Sequence, residues 1–156
     1  MPPTDEAACA ILALGRFMSP PDADTLIRAL ARLSDLDWRL RVVTDAEWHG
    51  AGPGATARAL DVAAQVTFTA TLDWDTSDLF ACAAEPPDLD LAVAEALRHG
   101  LPVIAMALGK GAHMTLENGV VCPPGDVEQL SKAIRRLIFD AGLRDDFAAA
   151  ARATRL

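Results

Sequence analysis

The stretch from Pro86 to Ala105 constrains the fold more than any other part of the chain. It reads as a loop, a helix, a glycine stop and a buried strand. Pro86 and Pro87 cannot sit in a helix interior, because proline lacks an N–H and its ring clashes with the preceding turn. Asp88 suits the cap position, where a short carboxylate accepts a first-turn N–H. Leu91, Ala94, Glu95 and Arg98 then follow at helical spacing. Gly100 fits the left-handed position after the last turn, and Pro102 prevents continuation. Val103 to Met106 is a short apolar run, as in a parallel strand covered on both faces. In an open α/β sheet, ligands bind at the carboxyl ends of strands, where helix N-termini point. The start of this helix is therefore the first place to look for chemistry.

The rest of the chain repeats the alternation. Cys9 to Leu14 is an apolar run that ends in the turn Gly15-Arg16, and predicts the first strand. Pro20-Pro21-Asp22 opens a helix to about Leu33 whose stripe is Leu26, Ile27, Leu30 and Leu33. Trp38 to Val43 predicts a second strand with Leu40, Val42 and Val43 as core residues. Gly50, Gly52, Pro53 and Gly54 break the loop from Thr44 to Gly54. A helix of low amphipathicity follows over Ala55–Ala64, then a brief strand at Val66–Thr69. Leu72 to Ser77 is too short and polar for a full helix. Asp78 to Ala83 reads as a strand, and Gly119 to Cys122 as the last one. Between these two, and after the Val103 strand, lies a glycine-flanked loop, Gly109–His113, with Met114–Asn118 as one helical turn. Asp126 caps a helix carrying Leu130, Ile134 and Leu137, and a final helix runs from about Leu143 to Arg152. Strands alternating with helices predict an α/β fold, a single Rossmann-like doubly wound parallel sheet of about six strands with helices on both faces. Residues 1–156 read as one domain, with residues 1–7 as a flexible lead.

Just over half of the residues are hydrophobic (51%), which excludes a disordered chain. The net charge of −8 argues against nucleic acid and anionic membrane as main partners. No apolar run is long enough to span a bilayer, and the acidic N-terminus is not a signal peptide, so a cytoplasmic protein is the expectation. Cys9, Cys82 and Cys122 are odd in number and lack CxxC spacing, which favours buried reduced thiols over disulfides or zinc. Trp38, Trp48 and Trp74 are expected to pack at domain edges. His49 and His99 read as surface residues. No cluster has metal-ligand spacing, and no Ser-His-Asp set or phosphate-cradling G-x-x-x-x-G-K-[ST] is present.

The order of the pieces resembles the C-terminal, donor-binding half of GT-B glycosyltransferases, in the retaining group that uses nucleotide sugars and builds bacterial cell-surface glycans. Ile11-Leu12-Ala13-Leu14-Gly15-Arg16-Phe17 is similar to the family's opening strand and "GR" turn, and Trp38–Val43 to its second strand. Val66-Thr67-Phe68-Thr69 is similar to its "V-x-F-x-G" strand. Leu91–Ala96 with Gly100–Ala105 is similar to the "lEA…G-x-PVia" block, and Glu117–Asp126 to "dG-x-llv-pp-gD". The resemblance implies transfer of a hexosyl group from a nucleotide-diphosphate sugar to a cell-surface glycan or lipid, with no metal or other cofactor. Glu95 would accept hydrogen bonds from the ribose hydroxyls. Arg16 would hold the diphosphate and stabilise charge on the leaving group. Helix N-terminal amides around Leu91 would add partial positive charge. Lys110 and His113 would lie beside the donor.

The departures from the pattern bear on activity. The family's second acid, eight positions before Glu95, is Pro87 in this chain. Glu85, two residues earlier, could take that catalytic place only with a shifted loop. Asp90 stands in the donor site where a glycine would let the backbone approach the ligand, and with Asp88 it puts like charges at one helix start. The helix between Phe68 and the Asp78 strand is missing. The N-terminal acceptor-binding half has no counterpart in these residues, so the implied partner is an acceptor-binding domain, either on a separate chain or in a part of the protein outside these residues. Three readings stay open on these residues. One is the donor domain of a transferase. Another is a degenerate module that contacts a partner chain or holds a nucleotide weakly. The third is a flavodoxin-like regulator. Glu95 also fits a solvated helix residue, and Arg16 a surface arginine near a strand end.

Overall fold

The computed structural model describes residues 8–44, 48, 52–83, 88–106 and 119–153. Six strands form one parallel sheet: β1 (Cys9–Leu14), β2 (Trp38–Val43), β3 (Val66–Thr69), β4 (Leu79–Cys82), β5 (Val103–Met106) and β6 (Gly119–Cys122). Their spatial order is β3-β2-β1-β4-β5-β6, and every neighbouring pair is parallel. The chain thus winds outward from β1 to one edge, returns beside β1, and winds to the other edge. The helices are α1 (Pro20–Ala31), α2 (Pro53–Ala59), α3 (Asp88–Arg98), α4 (Val127–Phe139) and α5 (Ala141–Ala153).

Alternation along each strand divides the core into two layers. Ile11, Ala13, Leu40, Val42, Leu79, Ala81, Ile104 and Met106 pack under α1 and α4 with Leu26, Ile27, Leu30, Leu130, Ile134 and Leu137. Leu12, Leu14, Phe80, Cys82, Val103 and Ala105 pack on the other face with Ala92, Val93, Ala96 and Leu97 of α3. Leu143 and Phe147 of α5 pack with the first layer and Ala151 with the second, so α5 passes across the sheet from one layer to the other.

Local chemistry fixes the ends of these elements. Ser19 and Asp22 form a reciprocal capping box before α1, with prolines in its first turn, where a missing N–H costs nothing. Asp126 caps α4 by accepting the Gln129 N–H at 2.9 Å. Gly100, at φ +72°, closes α3: its N–H donates to Leu97 O, and the Leu101 N–H donates to Ala96 O. That pairing satisfies the last carbonyls of the helix.

Three expectations need correction. The helix expected over Ala55–Ala64 spans Pro53–Ala59, because Gly52 and Pro53 start it instead of breaking it. It stops early because Asp61 takes the left-handed conformation at φ +62°. The Asp61 N–H then donates to Arg58 O and the Val62 N–H to Ala57 O, the same closure that Gly100 makes. Asp88 is the first residue of α3, so both Asp88 and Asp90 lie inside its first turn. Trp38 is not at an edge: it is 1% exposed, in phase with Leu40 and Val42, and its indole N–H donates to Leu33 O at 3.2 Å. Trp74 and Trp48 are only partly buried. Cys9, Cys82 and Cys122 are buried free thiols. Burial pushes Cys9 and Cys82 up to about 12 and raises Cys122. Among the described residues no helix is long and apolar enough to cross a membrane.

Candidate functional site

Two elements meet at the carboxyl-terminal rim of the sheet. The first is the turn Gly15–Phe17, which directly follows β1. Gly15 packs so tightly on the end of β2 that a Cβ would meet Thr44 Cβ at 2.8 Å, its Oγ1 at 3.0 Å and Val43 O at 3.1 Å. The turn needs glycine for this close approach, not for its φ, which is not positive. It buries Phe17 and leaves Arg16 exposed. The Arg16 guanidinium lies over the Phe17 ring, 4.7 Å from its centroid, which limits the positions the cation can sample.

The second element is α3. Ala92, Val93, Ala96 and Leu97 are buried against the sheet. Leu91, Ala94, Glu95 and Arg98 recur at helical spacing along a flank turned towards the Arg16 turn. Arg16, Leu91 and Glu95 line one cavity of about 230 Å³, closed by Leu14, Phe17, Leu72, Trp74, Ala94 and Arg98. Leu91 is 56% exposed at this cavity, an apolar surface offered to solvent. Glu95 Oε1 accepts from Arg98 Nη1 at 2.7 Å across one helical turn, with both side chains roughly half exposed. A carboxylate has about four lone-pair positions, so the pair leaves acceptor capacity on Glu95. The cavity therefore brings an exposed cation, an ionised acceptor and an apolar surface to the rim where a parallel sheet receives ligands.

Trp74 forms the far wall. Its indole stacks on the His99 imidazole at 4.5 Å and 1° and tilts against Phe80 at 5.4 Å. His99 is exposed, as expected of a surface residue, and one face of its ring supports this wall. Leu72, Trp74 and Arg98 are cavity residues that sequence reasoning missed. Their signals were two large apolar residues in the polar stretch between β3 and β4, and an arginine one helical turn after Glu95. Asp90 is half-buried in the first turn of α3, does not line the cavity, and is engaged in an interaction of its own. Glu85, Lys110 and His113 lie outside the described residues, as do Gly109–His113 and Met114–Asn118 as a whole. Among the described residues no cluster of His, Cys, Asp and Glu could hold a metal ion.

Comparison with known proteins gives this geometry its context. Residues 8–140 match the family model of glycosyl transferases group 1. An uncharacterized glycosyltransferase of Haemophilus influenzae is 27% identical over 138 residues, covering 82% of this chain and 39% of that protein. The chain therefore spans about two-fifths of the length of the curated relative it matches. Among solved structures, Anabaena HepE in complex with UDP and glucose superposes with a TM-score of 0.79 at 22% identity, over 98% of this chain and 47% of HepE. Sucrose-phosphate synthase from Thermosynechococcus elongatus gives 0.78 at 21% identity, over 95% and 40%. The C-terminal domain of a group 1 glycosyl transferase, LpcC from Francisella tularensis, gives 0.74 at 18% identity, over 93% and 83%. At these identities the structural likeness establishes the fold.

Proposed function

The chain belongs to the group 1 glycosyl transferases, with the fold of their C-terminal domain, and we propose that it binds the nucleotide-sugar donor of a retaining hexosyl transfer to a cell-surface glycan or lipid. The observation that carries this reading is the single cavity shared by Arg16 and Glu95. In the proposal Glu95 accepts the two ribose hydroxyls, hydrogen bonds that gain strength from its charge. Arg16 neutralises the diphosphate and the charge that develops as the nucleotide leaves. The amides at the start of α3, around Leu91, add partial positive charge, which the carboxylates of Asp88 and Asp90 in the same turn diminish. Glu85 is the acid assigned to the transferred sugar, and Lys110 and His113 the groups beside the phosphates. A metal has no role in this scheme. The acceptor site belongs to a second domain. Cytoplasmic placement is part of the proposal and is supported by three reduced, buried cysteines.

Isothermal titration calorimetry with UDP and GDP tests the reading. One of the two should bind with a heat that EDTA leaves unchanged and that Glu95→Ala abolishes. No heat with either would refute it. The Glu95–Arg98 pair favours a second reading, a degenerate module in which the acid is held away from ligand. Arg98→Ala separates the two. Tighter nucleotide binding in this variant makes Glu95 the ribose acceptor, and silence in both the variant and the parent leaves the module.

A further inference from the structure

A crossover between parallel strands usually takes a dozen or more residues, including a helix. The connection from β3 to β4 passes β2 and β1 with residues 70–78 and has no helix. At the strand starts it leaves open a cavity of about 440 Å³, lined there by Thr76, Ser77 and Asp78. Its two large side chains, Leu72 and Trp74, go instead to the Arg16–Glu95 cavity.

A connection without a helix has little regular structure to fix its side chains, yet the Trp74 ring is fixed from two directions. The His99 imidazole stacks on it, with centroids 4.5 Å apart and planes 1° from parallel. The fully buried Phe80 ring lies 5.4 Å away at 39°. The backbone holds it too: the Ser77 N–H donates to Trp74 O at 3.2 Å and the Ser77 hydroxyl to Asp73 O at 3.0 Å. The indole is nonetheless only partly buried. Leu72 and Leu91, at the same cavity, are 46% and 56% exposed, two of the three large exposed hydrophobic side chains among the described residues. An indole immobilised beside exposed apolar surface is a preorganised wall for a flat apolar group, because its rotamer is ordered before anything binds.

The place of this wall along α3 selects the group. The Gly15–Phe17 turn lies at the rim, where the Ala83 N–H after β4 donates to Phe17 O at 3.4 Å. From that rim α3 runs back towards the strand starts. At 1.5 Å per residue, Glu95 lies about 6 Å and His99 about 12 Å along the axis from Leu91. The cavity thus presents a cation at the rim, then a carboxylate, then the aromatic wall that His99 carries. A nucleoside diphosphate has the same order of chemistry: phosphates, ribose hydroxyls, base. The transferred sugar lies beyond the phosphates, away from Trp74. On the reading of this cavity as a nucleotide-sugar site, we propose that Trp74 is the contact for the nucleobase and that His99 is a positioning residue that holds the indole. Every base has a π-system, so an aromatic contact of this kind adds affinity for the nucleotide without choosing the base.

The test uses the full chain labelled with ¹⁵N, with UDP, GDP and pyrophosphate as probes. The Trp74 indole N–H resonance, assigned by its absence from Trp74→Phe, should move with whichever nucleotide the parent binds and stay in place with pyrophosphate. Trp74→Ala, checked for fold by circular dichroism, should weaken that nucleotide by about tenfold, the loss expected for one aromatic–base contact. Trp74→Phe should keep affinity within about threefold, whereas Trp74→Leu, apolar but without a ring, should lose as much as Trp74→Ala. His99→Ala should cost about threefold and His99→Phe should restore it, since a second ring renews the stack. Should Trp74→Ala misfold, the indole resonance and the two His99 variants decide. A nucleotide that binds and is lost in Glu95→Ala, but leaves the Trp74 indole unmoved or binds a folded Trp74→Ala within about twofold, would overturn the base contact alone. An equal indole shift with pyrophosphate would do the same, by placing phosphate at this wall. No binding of either nucleotide to the parent would overturn the donor reading and the base contact together.

Discussion

Gly15→Ala is the sharpest perturbation of the link between fold and rim. The added methyl would lie 2.8 Å from Thr44 Cβ, 3.0 Å from Thr44 Oγ1 and 3.1 Å from Val43 O. None of these atoms is the free end of a long side chain. Thr44 is itself tied to β3 through its N–H to Thr69 O at 2.8 Å. The ends of β1 and β2 must therefore part, and overpacking of this kind costs about 1–3 kcal/mol. We expect about 2 kcal/mol in urea unfolding, with no contribution from φ, since Gly15 is not in the left-handed region. Gly125→Ala is the matched control: φ is +75° and nothing lies within 4 Å, so only the conformational cost of about 1 kcal/mol applies. Thr44→Gly removes two of the three clashing atoms. In a double-mutant cycle it should recover about 1 kcal/mol of the Gly15→Ala loss. On the proposed function, the displaced turn should also carry Arg16 from its cavity and weaken whichever of UDP and GDP the parent binds by about tenfold, a cost of about 1.4 kcal/mol. A Gly15→Ala protein within about 0.3 kcal/mol of the parent, or strictly additive effects, would show that the contact is not tight and refute the reasoning.

Two further outcomes follow from the core. Cys9 and Cys82 ionise near 12 in the fold, against an ordinary value of 9.0, so between these limits the folded chain holds protons that the unfolded chain releases. Their contribution is complete below pH 9 and is lost as pH rises towards 12; by pH 10 each thiol should have cost about 1.4 kcal/mol. The chain has no tyrosine to obscure this, so urea midpoints at pH 7 and 10 should differ clearly, and the difference should shrink in Cys9→Ala/Cys82→Ala. Trp38→Phe removes the hydrogen bond to Leu33 O and part of a fully buried ring, which should cost about 2 kcal/mol by the same method.

Four of the strands were legible as short apolar runs, and Trp38–Val43 and Val66–Thr69 because apolar residues alternate with polar ones. Cys9–Leu14, Trp38–Val43, Val66–Thr69, Val103–Met106 and Gly119–Cys122 lie where the sequence places them. The end of α3 was legible because glycine is the ordinary occupant of a left-handed closing position. The end of α2 was not, because Asp61 makes the same closure with a residue that usually signals a cap or a turn. Trp38 was misjudged although its phase with Leu40 and Val42 was visible in the sequence; a bulky ring at a strand start gives no sign of the helix that covers it. At the rim, Arg16 and Glu95 were readable as residues of a turn and a helix flank. The Trp74–His99 stack was not, since it joins a connection to the far end of a helix and leaves no periodic trace in either.

The short β3–β4 connection is the cause common to both ends of the sheet. A crossover of this kind usually carries a helix, and this one has none. Without it, the chain from Thr69 to Leu79 has to cross two strands in little length. It does so by anchoring Trp74 on Phe80 and His99 at one end and Asp78 on Ala10 at the other. The first anchor builds a wall of the Arg16–Glu95 cavity, and the second leaves the strand starts open. An insertion that placed a helix between Thr71 and Ser77 would thus be expected to draw Trp74 off Phe80 and His99 and remove the aromatic wall of the Arg16–Glu95 cavity.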